Sequence, residues 1–202
     1  MNRKPNSNRL RKAAEARLPT RYGRFRVVGF ENKRGEWIVA LVRGNLRRRQ
    51  APLVRLHSQC LTGDVFGSVR CDCRAQLELA LKRIAREGAG ILLYDPQEGR
   101  GIGLINKLRA YQWQDRGLDT VEANRRLGLP ADRRSYEIAA EALRALNVRR
   151  VRLLSNNPDK VAALELNGIS VAARLPCQPA PGQTNRAYLR TKREKLGHLL
   201  TV

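Results

Sequence analysis

The sequence predicts an α/β domain: a mixed sheet with helices on both faces and a small β-hairpin region at the N-terminal side. Three observations carry that expectation. Short apolar runs alternate with amphipathic helical stretches from Gln76 onward, which is the signature of strands joined by helices with some parallel pairing. Period-two alternation is confined to the region before Leu56. A chain of 202 residues with 42% hydrophobic residues is long and apolar enough to bury a core. No internal repeat is visible.

The elements follow in order. Alternation in Arg24 to Val28 and in Trp37 to Val42 predicts two short strands, with Asn32 to Gly35 as the turn between them. Arg47, Arg48, Arg49 and Gln50 carry no apolar period and read as an exposed basic loop before a strand at Leu53 to Leu56. From Gln76, the residues Leu77, Ala80, Leu81, Ile84 and Ala85 share one helical face, and Gly88 sits where a left-handed glycine ends a helix. Ile91 to Tyr94 is a buried strand. A Gly-rich loop and a helix with Leu104, Leu108 and Tyr111 on one face come next, stopped by Gly117. Tyr136 to Leu146 is helical, Val151 to Leu154 a strand, Pro158 to Leu166 a helix closed by Gly168, and Ile169 to Ala173 a strand. The expected division is a basic flexible tail at 1–17, an α/β catalytic domain at 18–174 and an appendage at 175–202 that starts Pro-rich and ends in a short basic helix.

Composition narrows the function. Forty Lys+Arg against 18 Asp+Glu give a formal charge of +22, so a polyanionic substrate or partner is expected. Apolar runs such as Ile38 to Val42 fall far short of the roughly 20 residues a membrane span needs, so no membrane partner is expected. Four cysteines are too few for a disulfide scaffold, and no apolar stretch follows the basic N-terminus, which together predict a reducing, cytoplasmic setting. The Arg-rich first 19 residues can mimic a transit peptide or an RNA-binding arm, but a solvated flexible tail is the preferred reading.

Cys60, Cys71 and Cys73 cluster, while Cys177 is remote. Three thiolates can hold Zn²⁺ and leave a fourth position for a water, whose pKa falls to about 7. A closed structural site would need a fourth ligand, for which Cys177 and His57 are available; buried apolar cysteines are the remaining alternative. Arg70 and Arg74 flank the Cys-x-Cys pair and favour the thiolate forms. Gln97 to Gly103 follows a strand and opens a helix, where backbone N–H groups can wrap an anion, and Arg100 suits phosphate oxygens. A structural turn explains the glycines as well. Asn157 reads as a helix N-cap with Pro158 at the first helical position, and Lys160 adds a second candidate anion site. Asp132, Arg133 and Arg134 look like an ordinary charged first turn, Tyr111 like a core residue, and His198 like a surface residue.

Taken together, Arg55 to Asp64 (RLHSQCLTGD), Cys71-Asp72-Cys73, Gln97 to Gly103, Asp119 to Asn124 and Ser155 to Lys160 resemble GTP cyclohydrolase II, the first enzyme of riboflavin synthesis, from about Leu18 to Leu200. The resemblance implies a zinc enzyme that opens the imidazole ring of GTP, releases formate and pyrophosphate, and leaves a 2,5-diamino-6-ribosylamino-pyrimidinone 5′-phosphate. Cys60, Cys71 and Cys73 match the zinc ligands, one ion per chain, whose bound water attacks guanine C8. Arg55, Gln76, Glu98, Gly99, Arg100, Thr120, Ser155 and Lys160 match nucleotide contacts. Asp132 matches a general base, Arg134 a nucleophile or stabiliser at the α-phosphate, and Tyr111 a tyrosine assigned to the ring chemistry. Mg²⁺ on the phosphates and a homodimer are implied as well. Gln59 stands where the family usually has Glu, Asp95-Pro96 where it has a basic pair, and Ser155 where it has Thr. Those differences motivate a second reading, a paralogue acting on another nucleotide or stopping at ring opening. The charge motivates a third, a nucleic-acid-binding or regulatory protein, against which stands the 5% aromatic content.

Overall fold

The computed structural model describes residues 9–180, 182 and 184–201. Seven strands form one mixed sheet: β1 (Arg11–Thr20), β2 (Gly23–Glu31), β3 (Trp37–Arg43), β4 (Leu53–Ser58), β5 (Gly90–Asp95), β6 (Arg150–Leu154) and β7 (Ser170–Leu175), in the order β1-β2-β3-β5-β4-β6-β7. The first three strands and the β3–β5 junction pair antiparallel, and β5, β4, β6 and β7 run parallel. Six helices connect and cover the sheet: α1 (Cys73–Glu87), α2 (Leu104–Gln114), α3 (Thr120–Arg126), α4 (Glu137–Ala145), α5 (Pro158–Leu166) and α6 (Arg186–Leu196).

Alternation along the parallel strands sends side chains into two cores. Val54, Leu56, Ile91, Leu93, Val151 and Leu153 face α4 and α5, meeting Ala139, Ala140, Leu143 and Leu164. Their neighbours Leu53, Leu92 and Leu154 face α1, meeting Ala80, Leu81 and Ile84. Helices thus lie on both faces. Because the chain leaves β4 toward β5 on one side and returns to β6 on the other, a crevice opens at the C-terminal ends of β4 and β6, where open α/β sheets place ligands.

Several expectations change. Residues 11–17 of the expected tail are part of strand β1, paired with β2 from Arg11 opposite Glu31 to Thr20 opposite Gly23 with a register shift between Lys12 and Ala14; residues 1–8 lie outside the described residues. This strand is exposed along nearly its whole length, so it carries no apolar alternation to read; the backbone ladder holds it, with Arg11 pairing Glu31 at 3.1 Å and Glu15 pairing Arg26. Charged side chains and Pro19 suit a sheet edge. Helix α1 starts at Cys73, ahead of Gln76, and ends at Gly88 with φ +73°, as its sequence position predicts. In α2 the buried residues are Lys107 and Ala110, while Leu108 of the expected apolar face is 42% exposed. Within the expected appendage, Arg186–Leu196 form α6, whose Leu189 and Lys192 are buried. No helix among the described residues is long and apolar enough to cross a membrane.

Candidate active site

The crevice holds a cleft of about 1080 Å³, part of it open to solvent. Strand β4 delivers Arg55 and His57 from the face opposite Val54 and Leu56, then ends at Ser58. Beyond it, Cys60 leads into a single π-helical turn, Leu61–Val65, a form that recurs at functional sites. That turn carries Gly63 under the sulfurs: a Cβ there would lie 3.0 Å from Cys71 Sγ and 3.1 Å from Cys60 Sγ and press both out of place by a few tenths of an ångström.

Sulfur atoms of Cys60, Cys71 and Cys73 lie within 4.8 Å of one another, and those of Cys60 and Cys71 are 3.7 Å apart. Tetrahedral zinc with bonds of about 2.3 Å sets its sulfurs about 3.8 Å apart, so the residues fit that ion. Hydrogen bonds from Cys71 and Cys73, with the Lys107 ammonium 3.1 Å away, hold Cys60 far below the usual thiol range. The same contacts with Cys60 push Cys71 up to about 11 and hold Cys73 well above the usual thiol range. With one thiolate formed, its charge opposes ionisation of the two neighbours, whereas a dication takes all three as thiolates. The two alternatives for a fourth ligand fall away. Cys177 is fully buried in the α1-side core with its sulfur on the Gln76 carbonyl, and neither ring nitrogen of His57 falls within the 4.8 Å that the three sulfurs share.

Around the sulfurs, Lys107 also donates to Glu98 at 2.8 Å and to Thr62 at 2.9 Å, and Thr62 meets the Tyr111 hydroxyl at 3.1 Å. Burial opposes the Lys107 charge, but Glu98 and Cys60 more than offset it. Glu98 further accepts from the Leu61 amide at 2.6 Å, joining the loop after β5 to the cysteine loop. Asp64 accepts from the Cys60 amide and from Tyr94, both at 3.0 Å. Burial lowers the His57 pKa despite Asp64, so the ring is neutral, with Nε2–H donating to Asp64 and Nδ1 left without a partner.

Cations gather on the opposite wall. Arg55 donates to the Leu154 carbonyl at 2.9 Å and to the Gln76 side chain. Arg100, held at φ +60° beside Gly99 and Gly101, has both terminal guanidinium nitrogens buried and unpartnered. Arg134 forks onto Asp132 at 2.9 and 3.1 Å through Nε and reaches Ser58 at 3.4 Å. Burial lifts the Asp132 pKa, and the Arg134 contact outweighs this, leaving the carboxyl below its ordinary value. Lys160 donates to the Leu56 carbonyl at 2.8 Å; burial, then Arg134 and Arg55, push its pKa well down.

Of the residues singled out in the sequence, Cys60, Cys71, Cys73, Arg55, Gln76 and Glu98 line this one cleft. So do Gly99, Arg100, Tyr111, Thr120, Arg134, Ser155 and Lys160. Asp132 does not line it and reaches it through Arg134. Asn157 caps α5 by accepting from the Asp159 amide, and Ser155 accepts from the Asn157 amide at 3.1 Å. Asp119 and Glu122 form a capping box that presents Thr120. His198, expected at the surface, instead lines the cleft, with its pKa lowered to about 3 by burial and by Lys192. The cleft also takes in Lys107, Lys192 and Tyr188, which no sequence motif singles out. Lys107 does leave a signal: it stands on the same helical face as Leu104, Leu108 and Tyr111, a charge inside an apolar stripe.

The family model of GTP cyclohydrolase II matches residues 11–176. The chain is 50% identical over 188 residues to "GTP cyclohydrolase-2" of Buchnera aphidicola, covering 93% of this chain and 97% of that protein. It is 52% identical over 192 residues to "Riboflavin biosynthesis protein RibBA" of Bacillus cytotoxicus, covering 95% of this chain and 48% of the relative. A second relative of that name, from Bacillus mycoides, is 53% identical over 189 residues, with 93% and 48% covered. The chain thus spans about half the length of these Bacillus relatives. By profile and by relatives alike, the chain belongs to the GTP cyclohydrolase II family.

Proposed function

We propose that the protein hydrolyses GTP in a zinc-dependent reaction that opens the imidazole ring, releases formate and pyrophosphate, and yields the diaminopyrimidinone 5′-phosphate used in riboflavin synthesis. One observation carries the reading: three clustered thiols share a cleft with cationic side chains from four separate segments, Arg55, Arg100, Arg134 and Lys160. Like charges crowded in one cleft repel, and a triphosphate relieves that repulsion.

Cys60, Cys71 and Cys73 hold the metal. When bound, zinc with an open coordination position supplies a Lewis acid and activates water near neutral pH. Lys107 fixes the charge of Cys60 and aims Glu98, which in turn pins the cysteine loop through the Leu61 amide. Tyr111, with its hydroxyl on Thr62 and the Arg70 guanidinium 4.9 Å from its ring centroid, closes the side of the sulfur cluster and can hand a proton to the purine. Arg100 has free guanidinium donors, and Arg55 a free Nε–H, for phosphate or base oxygens. Asp132, outside the cleft lining, keeps Arg134 extended toward Ser58, from where the guanidinium would stabilise charge at the α-phosphate. Mg²⁺ bound with the substrate phosphates would offset the charge of the pyrophosphate leaving group. Homodimeric assembly and a cytoplasmic location are part of this proposal.

Purified protein given GTP and Mg²⁺ is expected to release formate and pyrophosphate in equal amounts, with conversion of the purine absorbance to that of a ring-opened pyrimidine. Unchanged GTP at saturating zinc contradicts the proposal, and formate without pyrophosphate points to a reaction that stops at ring opening.

A further inference from the structure

Helix α6 lies beyond the segment matched by the family model, yet it completes the wall of the cleft with Tyr188 and Lys192. Its ties reach separate loops of the site. Thr184 donates to the Val69 carbonyl at 3.0 Å, ahead of the paired cysteines. Lys195 clasps Asp119 and Glu122 at the start of α3. The Leu199 amide donates to the Asn156 carbonyl at 2.8 Å, beyond β6. Lys192 goes deepest: its ammonium lies 2.9 Å from Asp72, with side-chain exposures of 10% and 2%.

From Asp72 a buried chain of hydrogen bonds runs to the cleft. Gln76 donates its amide N–H to Asp72 and accepts from Arg55 on its carbonyl oxygen. A carboxylate can only accept, so its charge forces the amide group of Gln76 toward Asp72 and the oxygen toward Arg55. Arg55, clamped by Gln76 on one arm and by the Leu154 carbonyl on the other, presents its buried Nε–H without a partner. Removing Lys192 takes away the contact that anchors the Asp72 carboxylate and leaves Gln76 as its remaining side-chain donor, so the carboxylate can shift and carry Gln76, and through it Arg55, out of place.

We infer that Lys192 is a positioning residue of the nucleotide site, acting from α6 through Asp72 and Gln76 to fix the guanidinium of Arg55. The inference rests on reading the cleft as the GTP site, but the relay itself exists in the nucleotide-free protein and can be read there.

The test compares the full-length parent with Lys192→Met, Lys192→Arg and Arg190→Ala, the last removing a charge from an exposed position of the same helix. In the nucleotide-free protein, the Gln76 side-chain amide and Arg55 Nε–H resonances are expected to shift and to exchange faster with water in Lys192→Met, and to stay in place in Arg190→Ala. KM for GTP is then expected to rise about 10- to 100-fold in Lys192→Met with little change in kcat, the scale of one lost charged hydrogen bond. Lys192→Arg restores both readouts. If Lys192→Met does not fold, Lys192→Gln, which keeps a donor and removes the charge, gives the same comparison. Unmoved Gln76 and Arg55 resonances in a folded, charge-free variant overturn the inference, as does an unchanged KM. Should the parent show the coupled resonances yet release no formate from GTP, the functional proposal fails and the relay stands.

Discussion

The antiparallel half of the sheet, β1 to β3, and the parallel half, β4 to β7, bury different chemistry. In the first, the buried strand residues are apolar: Phe25, Val28, Phe30, Ile38, Ala40 and Val42. In the second, Arg55, His57 and Asp95 are buried inside strands, and Ser155, Asn157 and Lys160 just after one. Burying charge is unfavourable unless it is paired, and here several polar atoms, His57 Nδ1 and the Arg100 nitrogens among them, lack partners. Both halves supply apolar core, and the parallel half adds a cluster of buried polar groups whose missing partners are those of a ligand.

The division breaks first at the sulfurs. Outer-sphere changes at metal sites cost roughly 10–100-fold, so losing a ligand outright in Cys71→Ser is expected to lower formate release by on the order of 10³-fold. Chelation should do the same to the parent, with recovery on adding zinc; activity that survives both would separate the sulfurs from the reaction. Phe30→Ala, in the antiparallel half, is expected to cost about 3–5 kcal/mol in denaturant unfolding while leaving KM for GTP unchanged below the transition. A raised KM in that variant would show the two halves to be coupled. Arg100→Ala should act the other way, raising KM about 10- to 100-fold with the unfolding midpoint nearly constant, since its terminal nitrogens make no internal bond to lose.

The smallest effect is expected at Asp95. Burial pushes its pKa up, against the opposing pull of Gln97, Lys160 and Arg134. A carboxyl whose folded pKa exceeds its unfolded value, near 3.9, binds its proton more tightly when folded, so stability falls as pH rises through that interval. Asp95→Asn, which cannot ionise, should match the parent below that interval and melt higher than the parent at pH 7. The opposite order at pH 7 would mean that the ionised carboxylate is held by Lys160 and Arg134.

Strands and helices with an apolar period are legible in the sequence, and the family resemblance points to many of the residues that line the cleft but not to Lys107, Tyr188 or Lys192. Leu77 to Ala85 and Gly88 define α1 by themselves, and Asn157-Pro158 defines the start of α5. Strand β1 is not legible, because an edge strand held by backbone bonds and surface ion pairs has no buried face to leave a pattern. The orientation of α2 departs from its apolar stripe for a related reason: Glu98, Thr62 and Cys60 draw Lys107 inward, and that pull comes from outside the helix. Nor can spacing reveal that α6 folds over the cleft, since the Lys192–Asp72 pair joins positions 120 residues apart.

The most direct measurement is zinc-edge X-ray absorption on the protein as purified, with and without GTP. An open catalytic centre predicts three sulfur scatterers at about 2.3 Å with one lighter atom, and a change in the lighter shell when GTP is added. A shell of four sulfurs, or a protein that takes up no zinc, would contradict it.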